Sequence, residues 1–389
     1  MYCVILFVSS KHIVHDSCYP IQFFAMTSKK LIAPFYERLS LVLIGLLALG
    51  FFVVQGKDVL DPLVFGFLFA ILLLPVSAFL EKKLKFPRSM SSLVSILLLI
   101  AFIYGILYLV GTQISKLSSD WPMLQKQVGQ SINNLTAWIE DRFHVDLQSK
   151  TAFLKNTGEK IMQSGTEVVG TAFGAVSSLL LFYLFIMIFT FFILFYRRLL
   201  FKFILQAFGH DNEPIVHDIV ENIQNILRQY ILGLLIEMVV VATVACTAFW
   251  IIGIKYAALL GIIVGLFNII PYLGIFTALF LSVLITFATG AVTDAIWVGG
   301  CVLGIHAVDS NLLLPTIVGS KVRLNALITF LGIVLGEMIW GLSGMFLSIP
   351  MIAIFKIIFD RIESLKPWGY LLGGDYEYKK SAEKKMKTE

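Results

Sequence analysis

The chain has 389 residues, of which 58% are hydrophobic and 14% are charged, and its formal net charge is +5. Soluble domains carry about a quarter charged residues, so this composition excludes an ordinary soluble globular protein. The basic residues cluster in short segments beside apolar stretches, which argues against nucleic acid binding and favours a role in membrane orientation. We therefore predict an all-α polytopic membrane protein with about eight membrane segments.

The N-terminal part of the chain predicts a short cytoplasmic segment, residues 1–38, followed by three membrane spans within residues 39–111. Residues 1–25 are apolar in places but too short to span, and no basic leader precedes them. Met26 is followed by Thr-Ser-Lys-Lys, a basic leader directly before the first span. We expect that Met26 is the natural start and that residues 1–25 are not native.

Residues 112–170 form the only sizeable polar block. Apolar residues recur in it at helical spacing and its charges balance, so we predict an extracytoplasmic helical hairpin. A fourth span is predicted over residues 171–200. Residues 201–230 carry an apolar stripe on one helical face and predict a cytoplasmic amphipathic helix.

The predicted transport core is residues 231–360, and residues 361–389 form a predicted cytoplasmic tail. Two apolar segments of the core are interrupted, and we predict that they are broken or re-entrant. Such breaks free backbone groups that lipid cannot satisfy, and in transporters they build the substrate site. The predicted helix-break and substrate-path residues are Asn268, Pro271, Gly274, Asn311, Pro315, Gly341 and Gly344.

Few ionisable side chains lie within the apolar segments, and each is costly at membrane depth. The candidates for ion coupling are Glu237, His306, Asp309 and Glu337. His306 and Asp309 share a helical face, where they would either couple ions or clasp two spans together. Glu337 would either cap the second break or bind a cation. We expect neutralisation of Asp309 to abolish transport, neutralisation of Glu337 to abolish it or shift its pH optimum, and neutralisation of Glu237 to be mildest.

Other classes of site find no support in the sequence. It contains no HExxH, Walker A or GxSxG motif, so we predict no enzyme activity, metal site or cofactor. Lys and Arg cluster in alternate loops, which places both termini in the cytoplasm and residues 112–170 outside. The expected partners are membrane lipid, a small polar solute, a proton or sodium ion and a second copy of the chain in a homo-oligomer.

Four ordered motifs give the chain a resemblance to a known family: Tyr230–Gly233, Gly265–Gly274, Asp309–Gly319 and Trp340–Pro350. At these motifs the chain resembles the autoinducer-2 exporter family of bacterial permease-like transporters. The resemblance implies a carrier of the bacterial inner membrane. The family includes members linked to export of the quorum-sensing signal autoinducer-2 and others that act as sodium(lithium)/proton antiporters.

We therefore predict a secondary transporter, driven by an ion gradient, that exports a small polar metabolite or signal such as autoinducer-2. Two alternatives stay open at this stage. One is a sodium(lithium)/proton antiporter that uses the same carboxylates. The other is a membrane scaffold that transports nothing and recruits partners through its polar hairpin and surface helix.

Overall fold

The computed structural model describes residues 35–119, 180–270, 273–289, 292–313 and 324–373. The predicted polar hairpin beyond residue 119 lies outside these residues, as do Pro271, Pro315, residues 1–34 and the tail from residue 374. The chain divides into two compact units, Met1–Phe51 and Phe52–Glu389. The candidate site lies entirely within the second unit.

All regular structure in the described residues is helical, which confirms the predicted all-α class. The helices are α1 Phe35–Gln55, α2 Lys57–Lys83, α3 Arg88–Ser119, α4 Leu180–Phe208, α5 Glu213–Ile252, α6 Ala257–Phe267, α7 Leu273–Thr289, α8 Val292–Val308, α9 Ala326–Trp340, α10 Leu342–Arg361 and α11 Lys366–Gly373. A π-helical turn, Asp309–Leu313, continues α8. Among the helices of the described residues, six are long and apolar enough to cross a membrane: α2, α3, α4, α5, α8 with its extension, and α10.

Helices α2 and α4 pack closely through small residues. A Cβ atom on Gly66 would lie 2.7 Å from the Phe189 Cβ, so only glycine permits this approach. The Thr190 hydroxyl donates to the carbonyl oxygens of Gly66 at 3.3 Å and of Ile186 at 2.7 Å. A hydroxyl that donates to backbone satisfies its own polarity inside an apolar bundle. Leu68 and Ile71 on α2 also pack against α5 and α10 in a buried hydrophobic cluster.

Helix α5 is one continuous helix of 40 residues. At 1.5 Å per residue it is about 60 Å long, about twice the thickness of a bilayer's hydrocarbon core. The predicted amphipathic helix and the start of the predicted transport core therefore lie on one helix, and the boundary predicted between residues 230 and 231 falls inside it. The helix ends at Gly253, whose φ of 86° is the left-handed conformation that glycine adopts without strain.

The two interruptions predicted in the core are present. Helix α6 ends at Phe267 and α7 begins at Leu273, on either side of the first break. At the second break Gly341 has φ 67° and separates α9 from α10. The α6, α7 and α9 helices have 11, 17 and 15 residues, each short of the roughly 20 that a crossing requires.

Candidate ion-coupling site

Two buried carboxylates and one amide meet beside the first break. Glu237 of α5 is 2% exposed and Asp309, in the π-helical turn after α8, is 4% exposed. The Asn268 Nδ2 donates to the Glu237 Oε1 at 3.3 Å and to the Asp309 Oδ2 at 3.1 Å. One amide group therefore joins side chains from three different elements. These three residues are the candidate ion-coupling centre.

The local sequence explains why these side chains converge. Asn268 follows the last residue of α6, and its backbone N–H donates to the Val264 carbonyl oxygen at 3.1 Å. Pro271 follows shortly in the sequence, and proline cannot continue a helix without losing a hydrogen bond. The Asn268 side chain thus lies at a helix end. Asp309 begins a π-helical turn, a feature that widens the helix and is frequent at functional sites.

The centre has unmet hydrogen-bonding capacity. The second oxygens of both carboxylates, Glu237 Oε2 and Asp309 Oδ1, are buried and have no hydrogen-bond donor among the described residues. Buried acceptors without donors are costly, and two like charges repel strongly in a low dielectric. A proton or a small cation bound between the carboxylates would relieve both costs. No group of three or more His, Cys, Asp or Glu side chains in the described ranges is placed to hold a metal ion.

Two cavities adjoin the centre. The smaller, about 10 Å³, is lined by Asn268, His306 and Asp309 together with apolar side chains. This volume is close to the minimum that one water molecule requires, about 10–15 Å³. The larger is an apolar cleft of about 590 Å³ between α5 and α8, and Val241 and Ile305 line both cavities. The cleft therefore reaches the wall of the centre.

Other predicted residues lie near the centre but do different things. His306 is half-buried, and its Nε2 lies 3.2 Å from the Ser310 hydroxyl on its own helix. Asn311 is exposed and donates to the Ala307 carbonyl oxygen at 2.6 Å. Gly274 lies where a Cβ atom would collide with the Phe267 carbonyl oxygen, so its role there is close packing.

The remaining candidates belong to the second break, not to this centre. Glu337 is exposed on α9, and its carbonyl oxygen accepts a hydrogen bond from the Gly341 N–H at 2.7 Å. Gly336 and Gly344 face each other so closely that a Cβ atom on either would collide with the other's carbonyl oxygen. The second break is thus closed by backbone contact between α9 and α10.

One buried carboxylate was missed by the sequence reasoning. Asp61 of α2 is 4% exposed, and its Oδ1 has no donor within the described part of the chain. Its side chain interacts with Ser343, which belongs to the second break. The sequence did contain a signal, because Asp61 lies beside Pro62 within residues 39–111, where three membrane spans were predicted. Each break therefore meets a buried carboxylate.

Six membrane-length helices among the described residues, together with shorter apolar helices that are interrupted beside buried carboxylates, define a multi-span membrane protein built to move a solute or ion. Residues 39–364 match the model of the AI-2E family transporters, and the chain belongs to that family. This agrees with the resemblance found in the sequence motifs and points away from enzyme activity.

Relatives at low identity support the same class. The chain is 27% identical over 335 residues to YueF of Bacillus subtilis (strain 168), covering 81% of this chain and 87% of the relative. It is 26% identical over 320 residues to YrrI of the same organism, with 78% and 86% covered. Both are named provisionally as transport proteins. It is also 26% identical over 272 residues to PerM of Escherichia coli (strain K12), provisionally named a permease, with 68% and 75% covered.

Proposed function

We propose that this transport protein is a secondary transporter in which Glu237, Asn268 and Asp309 form the ion-coupling centre. The observation that carries the proposal is the pair of buried carboxylates that share one amide while each keeps an orphaned oxygen. Such a pair is stable when a proton or cation neutralises it and unstable when both groups are charged. Loading and unloading of an ion therefore alters the packing of α5, α6 and α8 around the break.

The solute itself would pass beside the centre. The apolar cleft between α5 and α8 is large enough for a small metabolite and shares two lining residues with the small cavity. We propose export of a small, polar metabolite or signal of the autoinducer-2 kind across the bacterial inner membrane, with both termini cytoplasmic. Family membership and the relatives' names support transport in general, and the substrate, direction and coupling belong to this proposal.

A second candidate, sodium(lithium)/proton antiport, is favoured by one specific observation. The cavity that touches Asn268, His306 and Asp309 is only about 10 Å³, which suits a single ion or water molecule. In antiport the same two carboxylates would bind a proton and a metal cation alternately. The polar groups that we describe at the centre are sufficient for that exchange. Antiport of ions does not require a polar surface large enough for a metabolite.

The test uses the full-length protein in sealed vesicles with an imposed proton gradient. Flux of autoinducer-2 and of other small polar metabolites is measured beside flux of sodium and lithium. Asp309→Asn and Glu237→Gln should each abolish gradient-driven flux, because both carboxylates share the centre. This revises the expectation that Glu237 would be the mildest site.

Glu337→Gln is the matched control, since it neutralises an exposed carboxylate on a helix outside the centre. It should transport normally at equal inserted amount. Flux of a metabolite supports the exporter, and flux of sodium or lithium alone supports the antiporter. Normal coupled flux in both centre variants would refute the assignment of the centre.

A further inference from the structure

A third cavity, separate from the ion-coupling centre and from the two cavities beside it, lies between α2, α4 and α5. Its volume is about 580 Å³, within the range of roughly 300–1,000 Å³ that small-molecule sites occupy. Its walls are mostly apolar, and the side chains from α2 and α4 that form them include Phe67, Ala70, Ile71, Leu74, Ile193 and Leu194. Its lining continues to the cation-rich end of α4, where Arg197, Arg198 and Lys202 lie.

Two of these cations are free to bind a ligand. Arg197 is already engaged, because its guanidinium makes hydrogen bonds of 2.8 and 2.7 Å to the two carboxylate oxygens of Glu81. Arg198 and Lys202 are exposed and have no carboxylate partner among the residues that the structure describes. On the opposite wall the lining includes His217 and Glu221, whose ring nitrogen and carboxylate lie 3.8 Å apart. The two free cations of α4 outnumber this one acid, so net positive charge lies at the α4 end of the cavity.

The combination of an apolar wall and a cationic rim selects an amphiphile. A free anion would gain from the cations and nothing from the walls, while a neutral apolar molecule would leave the cations unused. The Lys- and Arg-rich ends of α2 and α4 also mark the cytoplasmic side by the rule that set the predicted topology. Basic pockets between membrane helices on that side are known to hold anionic lipid headgroups.

We propose that this cavity binds one anionic phospholipid of the cytoplasmic leaflet. Its phosphate lies between Arg198 and Lys202, and an acyl chain extends along the face of α2 that includes Phe67, Ile71 and Leu74. The ion pair between Arg197 and Glu81 holds the ends of α2 and α4 together and so keeps this wall in place. The site is independent of the solute and of the coupling ion.

The charge arm of the test uses the purified full chain and native mass spectrometry. Retention of phosphatidylglycerol is compared with retention of phosphatidylcholine that has the same acyl chains. The parent protein should retain the anionic lipid selectively. Arg198→Gln and Lys202→Gln should each weaken its binding about fivefold, the value expected for one cation near an anionic headgroup.

The control for charge is the double variant Lys82→Gln, Lys83→Gln. It removes two exposed cations from the end of α2, outside the cavity lining. Retention of phosphatidylglycerol should be unchanged in this variant. An equal loss in the control and in the Arg198 and Lys202 variants would overturn the proposal, because it would show a diffuse attraction to the surface. Equal retention of both lipids by the parent would overturn it too.

The second part of the test uses a substitution that fills the cavity where the acyl chain would lie and leaves the charges unchanged. Leu74 is half-buried on the cavity wall, and Leu74→Trp should reduce phosphatidylglycerol retention while Arg198 and Lys202 remain. Excess inorganic phosphate should not displace the lipid from the parent. Normal retention in Leu74→Trp, or displacement by phosphate, would overturn the cavity and leave only an anion site on α4. Arg198 and Lys202 are exposed, so the charge arm decides the question even if Leu74→Trp does not fold.

Discussion

Asn268→Leu is the substitution that tests the centre most directly. The leucine side chain has a similar size but cannot donate, so the Glu237 and Asp309 oxygens both lose their shared donor. A buried acceptor left without a donor costs about 1–3 kcal/mol. Because one amide serves both acceptors, we expect the unfolding free energy to fall by about 2–4 kcal/mol.

The measurement is denaturant unfolding of the purified full chain in mixed micelles, followed by flux in sealed vesicles. Asn311→Leu is the matched control, because Asn311 is exposed and donates only to a carbonyl of its own helix. Its unfolding free energy should change by about 0.5 kcal/mol or less. Adding Asp309→Asn to Asn268→Leu should recover part of the loss, since one of the two competing carboxylates disappears.

Two results would contradict this reasoning. Equal losses in Asn268→Leu and Asn311→Leu would show that the cost comes from removing any asparagine in these helices. A further loss of stability on adding Asp309→Asn would show that the two carboxylates do not oppose each other, and the centre would then be a packing feature.

Three further predictions concern the rest of the molecule. Gly344→Ala should lower the melting temperature because its Cβ would collide with the facing carbonyl, while Gly300→Ala, with open space around it, should not; equal melting would refute the close contact. Arg197→Gln should lower the unfolding free energy by about 1–3 kcal/mol, because it leaves the half-buried Glu81 carboxylate unpaired; adding Glu81→Gln should restore much of that free energy. An impermeant maleimide should label a cysteine at Ser131 but not at Ser320 in intact cells of a cysteine-free variant, and the reverse pattern would invert the proposed topology.

The positions of the two breaks could be predicted because their causes are local. A proline such as Pro271 removes a backbone hydrogen bond from a helix, and Gly341 adopts a backbone conformation that few other residues tolerate. The apolar spans could be predicted for the same reason, since their length and composition are properties of the segment itself. Both kinds of feature are determined by the local amino-acid sequence.

The composition of the centre could not be predicted, because it depends on distant parts of the chain. Glu237 looked like a residue near the end of a span, and only the packing of α5 against α6 brings it to Asn268. Glu337 looked equivalent to Asp309, yet the structure leaves it exposed. The continuity of α5 was hidden because its side-chain pattern changes along its length while its backbone does not.

The glycine contact between α5 and α6 gives the centre an asymmetry. A Cβ atom on Gly265 would lie 2.5 Å from the Ala242 Cβ, so the two helices touch almost backbone to backbone and should shift as one body. Glu237 and Asn268 both belong to that body, whereas Asp309 is carried by α8, which α7 separates from α6 in the chain. We therefore expect that a motion opening the centre parts Asp309 from the amide while Glu237 keeps it. The two acids have the same chemistry but different mobility: Glu237 would stay with the amide, and Asp309 would move away from it.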